Sequence, residues 1–511
     1  MPLETELKLA IDAADAGRLA DVPVVREHLS RVPSTVRLRN IYFDTADLLL
    51  RDRGIGLRLR NMDGRWLQTV KRGNAAAVGL QRREEWEHEV YGEALDFTRI
   101  EDPELRVLLD DPGVRVRLEP RFTTDFARTI RDLRFTDGML IEMAVDLGTI
   151  RAGDRTQPIA EVELELKQGR PERIFEVAHA LTDALPVRIL HRSKAERGYA
   201  LVRAPRPPAG SKAGDLGLRA DMSAEAAMQA ILRHTLDHLL RNEAVVLENP
   251  ADIEGVHQMR VATRRLRSGL RVYRPLLSRP VTRLLNHRVK WLTDALGPAR
   301  DWDVFIDETL VPMREAFAGH AGLREIEQAA GEFRARAYDR AREALESTRY
   351  TDLVLTLAGW IEGRKWRATA DPRRRKRLED PARRFAVKLL DKRYARVRER
   401  GDRFESLSVE ERHDLRIRCK RLRYAAEFFA DLWGREGTRP LIRKLSGLQD
   451  ILGVLNDGAV SRGLLAEVTA DANHPGVALV LGWKAAMTHV LLARFGRSWK
   501  AFTGCERFWK S

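Results

Sequence analysis

Acidic and basic side chains recur at every second position in several short runs of this sequence. In Glu4-Thr5-Glu6-Leu7-Lys8, an extended chain would put Glu4, Glu6 and Lys8 on one face, because successive strand side chains point to opposite sides. Arg58 and Arg60 share a face in the same way, as do Glu161, Glu163 and Glu165. Carboxylates two residues apart suit a hard divalent cation, and rows of Arg and Lys suit phosphate oxygens. One strand on an exposed sheet face gives the same alternation; several strands, each with charges of one kind, favour a site. If both sets face the inside of a closed sheet, they cannot stay unpaired, because an isolated buried ion costs many kcal/mol. A metal and a polyanion together would satisfy both, and a barrel of eight strands admits only a narrow ligand such as a linear phosphate chain.

Farther along, charge follows a helical period. At about 100° per residue, His257, Arg260, Arg264, Arg267 and Arg271 fall on one side, and Met259, Ala262, Leu266, Leu270 and Tyr273 on the other. The segment VHQMRVATRRLRSGLRVY, from residue 256, is repeated as RHDLRIRCKRLRYAAEFF, from residue 412. His257 meets His413, Arg260 meets Arg416 and Arg264 meets Lys420; Arg265 and Arg267 meet Arg421 and Arg423. The same offset lays LGPARDWDV (296–304) over LGVLNDGAV (452–460), so a helical unit is duplicated. The second stripe departs at Glu427, which stands where the first has Arg271. A row of four or five cations repels itself and asks for an anion, whereas an ordinary amphipathic helix mixes charges.

The elements that must position these residues fall into two parts. Residues 1–203 alternate polar with apolar at period two, with turn signals at Asp63-Gly64 and Asp137-Gly138. APRPPAGSKAGD, within 204–220, reads as a semi-stiff linker. From 221 to 505 the pattern is helical, with repeats at about 221–370 and 378–505. The 511 residues carry 90 Lys+Arg and 75 Asp+Glu, and the excess is uneven. Up to residue 220 there are 36 of each sign, and beyond it 54 against 39, so the whole +15 lies in the second part. That points to a polyanionic partner: nucleic acid, anionic lipid or polyphosphate. Two cysteines argue against a disulfide framework and for a reducing cytoplasm. No signal-peptide layout opens the chain, and the apolar run near 477–483 is far short of a membrane span, so a soluble protein is expected.

Glu4-x-Glu6-x-Lys8 resembles the ExExK signature of CYTH domains, the triphosphate tunnel metalloenzymes. NIYFDT (40–45), LRLR (57–60), QTVK (68–71), FTTDFAR (122–128), AVDLG (144–148), AEVELELKQG (160–169) and SKAERGYAL (193–201) follow in the family's order, the last three resembling its inorganic triphosphatase branch. The resemblance implies an eight-stranded antiparallel β-barrel tunnel. Glu4, Glu6, Asp146, Glu161 and Glu163 would hold Mg²⁺ or Mn²⁺. Lys8, Arg58, Arg60, Lys71, Arg128 and Lys194 would grip a triphosphate, with Glu85 and Glu87 either binding metal or pairing with an inner arginine. Hydrolysis of tripolyphosphate to phosphate and diphosphate is the expected reaction, with adenylate cyclase of the class IV kind and thiamine triphosphatase as alternatives from the same family.

The two H-x-x-R-x-x-x-[RK]-[RK]-L-R copies resemble CHAD domains, a family associated with inorganic polyphosphate. That resemblance implies an all-α pair of antiparallel helical bundles related by a pseudo-two-fold axis. His257, Arg260, Arg264, Arg265, Arg267, Arg271, His413, Arg416, Lys420, Arg421 and Arg423 would bind polyphosphate, with localisation in the cytoplasm or on polyphosphate granules. The histidines would either donate to phosphate or pack. RNA stays open as a competing polyanion, as does a non-catalytic scaffold; the run Arg373 to Arg377 reads as a basic loop open to either polyanion. His234 and His238 sit four residues apart, but lack neighbouring Cys or carboxylate ligands, so zinc is not expected.

Overall fold

The computed structural model describes residues 4–77, 80–203, 207–471 and 473–510, with the side chains of residues 4, 73–77, 80–83 and 455–457 outside that description. The chain divides into two compact units, Met1–Pro208 with Glu346–Gly363, and Ala209–Leu345 with Arg364–Ser511.

The first unit is built on an antiparallel sheet: β1 (Glu4–Ala10), β2 (Ser34–Asp44), β3 (Ile55–Met62), β4 (Arg65–Ala77), β5 (Leu80–Val90), β6 (Glu119–Arg134), β7 (Leu140–Ala152), β8 (Arg155–Gln168) and β9 (Arg188–Ile189). The strands lie in the order β5-β4-β3-β2-β6-β7-β8-β1-β9. Asp63 and Gly64 both take positive φ (50° and 88°), the geometry of the tight turn that Asp-Gly favours between strands. Apolar residues alternate with the charged ones: Leu7, Leu9, Leu57, Leu59 and Leu164 are fully buried. Each such leucine contributes about 1.5–3 kcal/mol, and a one-residue slip of register would exchange the two faces. Helix Arg173–Ala184 buries Ile174, Phe175, Val177, Ala178 and Leu181, and helix Thr348–Glu362 packs on it within this unit.

The expectation of a closed eight-stranded barrel is corrected. Among the described residues the sheet has nine strands, and the edge of β1 away from β8 is divided: Glu4, Thr5 and Glu6 pair with β5, whereas Leu9 and Ala10 pair with β9. The sheet curls strongly, but it is not closed along its length into a barrel. β9 is two residues long, too short for any alternation to announce it. What stands of the expected architecture is an N-terminal antiparallel sheet followed by a C-terminal helical region.

In the second unit, helix Glu254–Val272 buries Met259, Ala262, Leu266 and Leu270, the apolar side its periodicity predicts. Helix Val409–Phe429, its sequence repeat, buries Leu415, Leu422 and Phe429 and packs against it. Part of the segment read as a linker is tied down here. The Gly210 amide donates to Asp252 (2.9 Å), Ser211 to Asn242 (2.9 Å) and Leu218 to Asp431 (3.1 Å). The run Arg373 to Arg377, read as a loop, lies in helix Pro372–Glu379. Among the described residues one helical stretch, Pro475–Lys510, is longer and more apolar than the run near 477–483 indicated, enough to cross a membrane by length and composition alone.

Candidate active site

The charged residues of the sheet and helix Lys194–Val202 line a cavity of about 1120 Å³. Strand register explains why they meet. Lys8 stands opposite Glu163 across β1 and β8, Asp146 opposite Glu161 across β7 and β8, and Arg128 opposite Asp146 across β6 and β7. Asp146, Glu161 and Glu163 each present a carboxylate oxygen, and these atoms lie within 4.8 Å of one another. Three hard oxygen donors at that spacing fit a divalent cation such as Mg²⁺, which binds through a few carboxylates and keeps several waters. Glu6 faces the same cavity but pairs with Lys8 at 2.8 Å and is not in this cluster. The Glu4 side chain lies outside the described residues.

Four cations neutralise the carboxylates. Lys194 reaches Asp146 at 2.6 Å, Glu163 at 3.1 Å and also Glu161. Arg128 forks onto Asp146 at 2.8 and 2.7 Å and touches Glu163; Lys8 touches Glu163, and Arg197 touches Glu161. Burial by itself would raise the Glu163 pKa, but Lys194, Lys8 and Arg128 outweigh it and hold the group well below the usual carboxylate range. Burial would likewise lower Lys8, and Glu163, Glu6 and Glu161 reverse that. Lys194 and Arg128 also stack over Phe126, at 5.0 and 5.7 Å from the ring centre.

A second group has cations in excess. Arg58 donates to the Tyr42 hydroxyl (3.5 Å) and to Glu85 (3.3 Å), while its buried Nε has no partner among the described residues. Arg60 donates to Asn40 (3.0 Å) and stands 3.9 Å from Glu87. Burial, reinforced by Arg58 and Arg128, lowers its pKa to about 10. Lys71 pairs with Glu85 at 2.8 Å, and Glu87 accepts from the Thr69 hydroxyl at 3.0 Å. Glu85 and Glu87 therefore neutralise this group only in part, two carboxylates against Arg58, Arg60 and Lys71, and are not in the carboxylate cluster. Burial would raise the Tyr42 pKa, yet Arg58, Arg60 and Lys71 outweigh it and lower it. An orphaned buried guanidinium nitrogen beside like-charged neighbours calls for an anion.

Sequence reasoning missed Arg197, Tyr42 and Asn40. Arg197 was within reach: Ser193 and Glu196 form a capping box, which starts a helix at Lys194 and sets Arg197 on its face at i+3. Tyr42 and Asn40 alternate on β2 as neighbours of Arg58 and Arg60. Glu165, which the sequence left outside the site, also lines the cavity.

On the second unit, the stripe residues differ in their surroundings. Arg260 donates to the Thr293 carbonyl (3.1 Å) and lies 3.8 Å from Asp301. Arg265 pairs with Glu427 at 3.1 Å and stacks on Phe428, and Arg423 binds Gln449 and Glu427. The half-buried Arg264, Arg267 and Arg421 each keep a buried Nε without a partner among the described residues. Burial, then Arg300, pushes the His257 pKa down, which makes it a neutral hydrogen-bonding group at pH 7. His413 is exposed, Arg416 and Lys420 are half-buried on the same helix, and Arg271 is exposed at the end of its own. His238 Nε2 is taken by the Ser211 carbonyl and Gln258, at 3.1 and 3.0 Å.

The CYTH domain profile matches residues 2–199, and the CHAD domain profile residues 230–466. An inorganic triphosphatase of Haemophilus influenzae is 33% identical over 205 residues, which is 39% of this chain and 54% of that protein. The chain thus spans about half the length of this relative. The structure of the CHAD domain from the plant Ricinus communis matches at TM-score 0.51 and 31% identity, over 58% of this chain and 98% of that one. A Hippeastrum protein described as having a dominant triphosphatase activity matches at TM-score 0.29 and 21% identity, over 39% of this chain and 95% of its own.

Proposed function

We propose that this chain, which belongs to the CYTH family through residues 2–199 and to the CHAD family through residues 230–466, is a magnesium-dependent inorganic triphosphatase with a polyphosphate-binding helical unit. The observation that carries the reading is one cavity lined both by Glu163, a member of the Asp146, Glu161 and Glu163 carboxylate cluster, and by Arg60 and Arg58, whose Nε is unsatisfied.

Phosphoryl transfer needs positioning and neutralisation of a highly charged transition state more than covalent help from the protein. A divalent cation held by Asp146, Glu161 and Glu163 would supply Lewis acidity toward phosphoryl oxygens. Arg58, Arg60 and Lys71 bind and orient the phosphate chain, and Arg58 Nε gains the acceptor it lacks. Lys8, Arg128 and Lys194 stand between the carboxylates and the cavity and share their charge between the two. The CHAD-family relationship and the unpartnered nitrogens of Arg264, Arg267 and Arg421 support polyphosphate as the ligand of the helical unit.

The test is product analysis with Mg²⁺ on tripolyphosphate, ATP and thiamine triphosphate in parallel. Phosphate and diphosphate from tripolyphosphate, at the highest kcat/KM of the three, is the expected result. Cyclic AMP as the main product from ATP would overturn it.

A further inference from the structure

The two ends of the cavity carry different charge. At one end lie Arg51, in the short helix Leu49–Asp52 that joins β2 to β3, and Arg203, at the end of helix Lys194–Val202. The Arg51 amide donates to Asp44, the last residue of β2, at 3.0 Å. Tyr199 lies within the electrostatic reach of both Asp44 and Arg51, and Arg203 is one helical turn beyond Tyr199, on the same face. Arg51 has only a loose ion pair, 4.0 Å to Asp52, and no ion pair engages Arg203 among the described residues.

At the other end, Glu142 stands opposite Glu165, and Glu165 opposite Glu6. Lys167 lies 2.7 Å from Glu165 and 3.7 Å from Glu142, one cation for these two carboxylates among the described side chains. A polyanion is thus attracted at the Arg51 end and repelled at the Glu142 end. Size matters too. The ten oxygens of a tripolyphosphate, at the ~30 Å³ one water occupies, need roughly 300 Å³. The cavity is several times larger, at about 1120 Å³.

We infer that phosphate chains enter at the Arg51 and Arg203 end, and that these two arginines form a subsite for phosphates beyond the three held inside, so that linear polyphosphate is a substrate cut at its terminus. This rests on the triphosphatase reading above. In the step, a water oxygen bonds to the terminal phosphorus and the bridging P–O bond breaks. Its electron pair stays on the shortened chain, and the water protons pass to the products or to solvent.

The experiment compares kcat/KM on tripolyphosphate and on a long-chain polyphosphate for the full-length protein and the Arg51→Glu/Arg203→Glu variant. Long-chain turnover is expected to fall about tenfold, and tripolyphosphate turnover by no more than about twofold, as for reversal of two exposed charges remote from the inner site. Arg51→Lys/Arg203→Lys should stay near wild type on both. Equal slowing of both substrates, or no slowing of either, would overturn the subsite. So would a wild-type protein that cuts tripolyphosphate and leaves long chains intact. A wild-type protein inert toward tripolyphosphate removes the triphosphatase reading, and the subsite with it.

Discussion

Glu163 receives Lys8, Arg128 and Lys194 at once, and each of these cations has a second carboxylate in reach. Removing its charge should therefore do two things. Glu163→Gln is expected to lower magnesium-dependent tripolyphosphate turnover at least about 100-fold, beyond the 10–100-fold typical of residues that only support a metal ligand. It should also destabilise the fold by about 3 kcal/mol, because three buried cations each lose one of their two or more carboxylates; urea unfolding checks that, and full activity at saturating Mg²⁺ would contradict the assignment. At this scale much of the site was legible. Alternation alone put Glu161 with Glu163 and Arg58 with Arg60, since a strand has only two faces. The partners of Arg265 were not legible, because Glu427 and Phe428 lie 162 and 163 residues away and only packing brings them there.

Helix Lys194–Val202 carries Lys194 and Arg197 to the carboxylates, and its seating depends on a glycine. A Cβ on Gly198 would stand 2.1 Å from the Phe122 ring, which is stacked on Tyr42 at 4.4 Å and cannot easily retreat. Gly198→Ala should cost about 1–3 kcal/mol as overpacking does, with a lowered Tm and reduced turnover together; an unchanged Tm would show that the helix is not seated this way. The strap over helix Ala224–Glu248 makes a pH prediction. Burial drives the His238 pKa down to about 4, and its Nδ1 has no partner among the described residues to receive a proton. The unfolded chain binds a proton near pH 6.5 and the folded chain near 4, so stability is full above about 6.5 and falls as pH drops toward 4. The contribution is at most ~3 kcal/mol. His238→Gln should flatten that slope in unfolding midpoints measured between pH 7 and 4; an unaltered slope would contradict the assignment. The sequence showed neither the strap nor β9: a Pro/Gly/Ser run looks like a linker until its amides find Asp252 and Asn242, and two residues show no period.

Across the whole chain, charge separates the parts: the excess of +15 lies beyond residue 220. Polyphosphate binding by the full-length protein should fall linearly in log K against log salt, with a slope set by the number of phosphates neutralised. Replacing Arg264, Arg267 and Arg421, which have no ion pair among the described residues, with Ala should flatten that slope, whereas replacing Arg265, whose charge is paired with Glu427, should change it little; equal effects would remove the distinction. Division into a sheet part and a helical part followed from period and charge. That the sheet stops short of a closed barrel did not, because alternation names the face of a residue and not the strand beside it.

The central claim is that metal and phosphate chain are neutralised by one cavity, and mutual binding tests it most directly. Mg²⁺ affinity should be measured by titration with and without a non-hydrolysable triphosphate analogue. Each is expected to tighten the other at least about tenfold, within the 5–150-fold usual for coupled sites. Affinities that are independent of one another would contradict it.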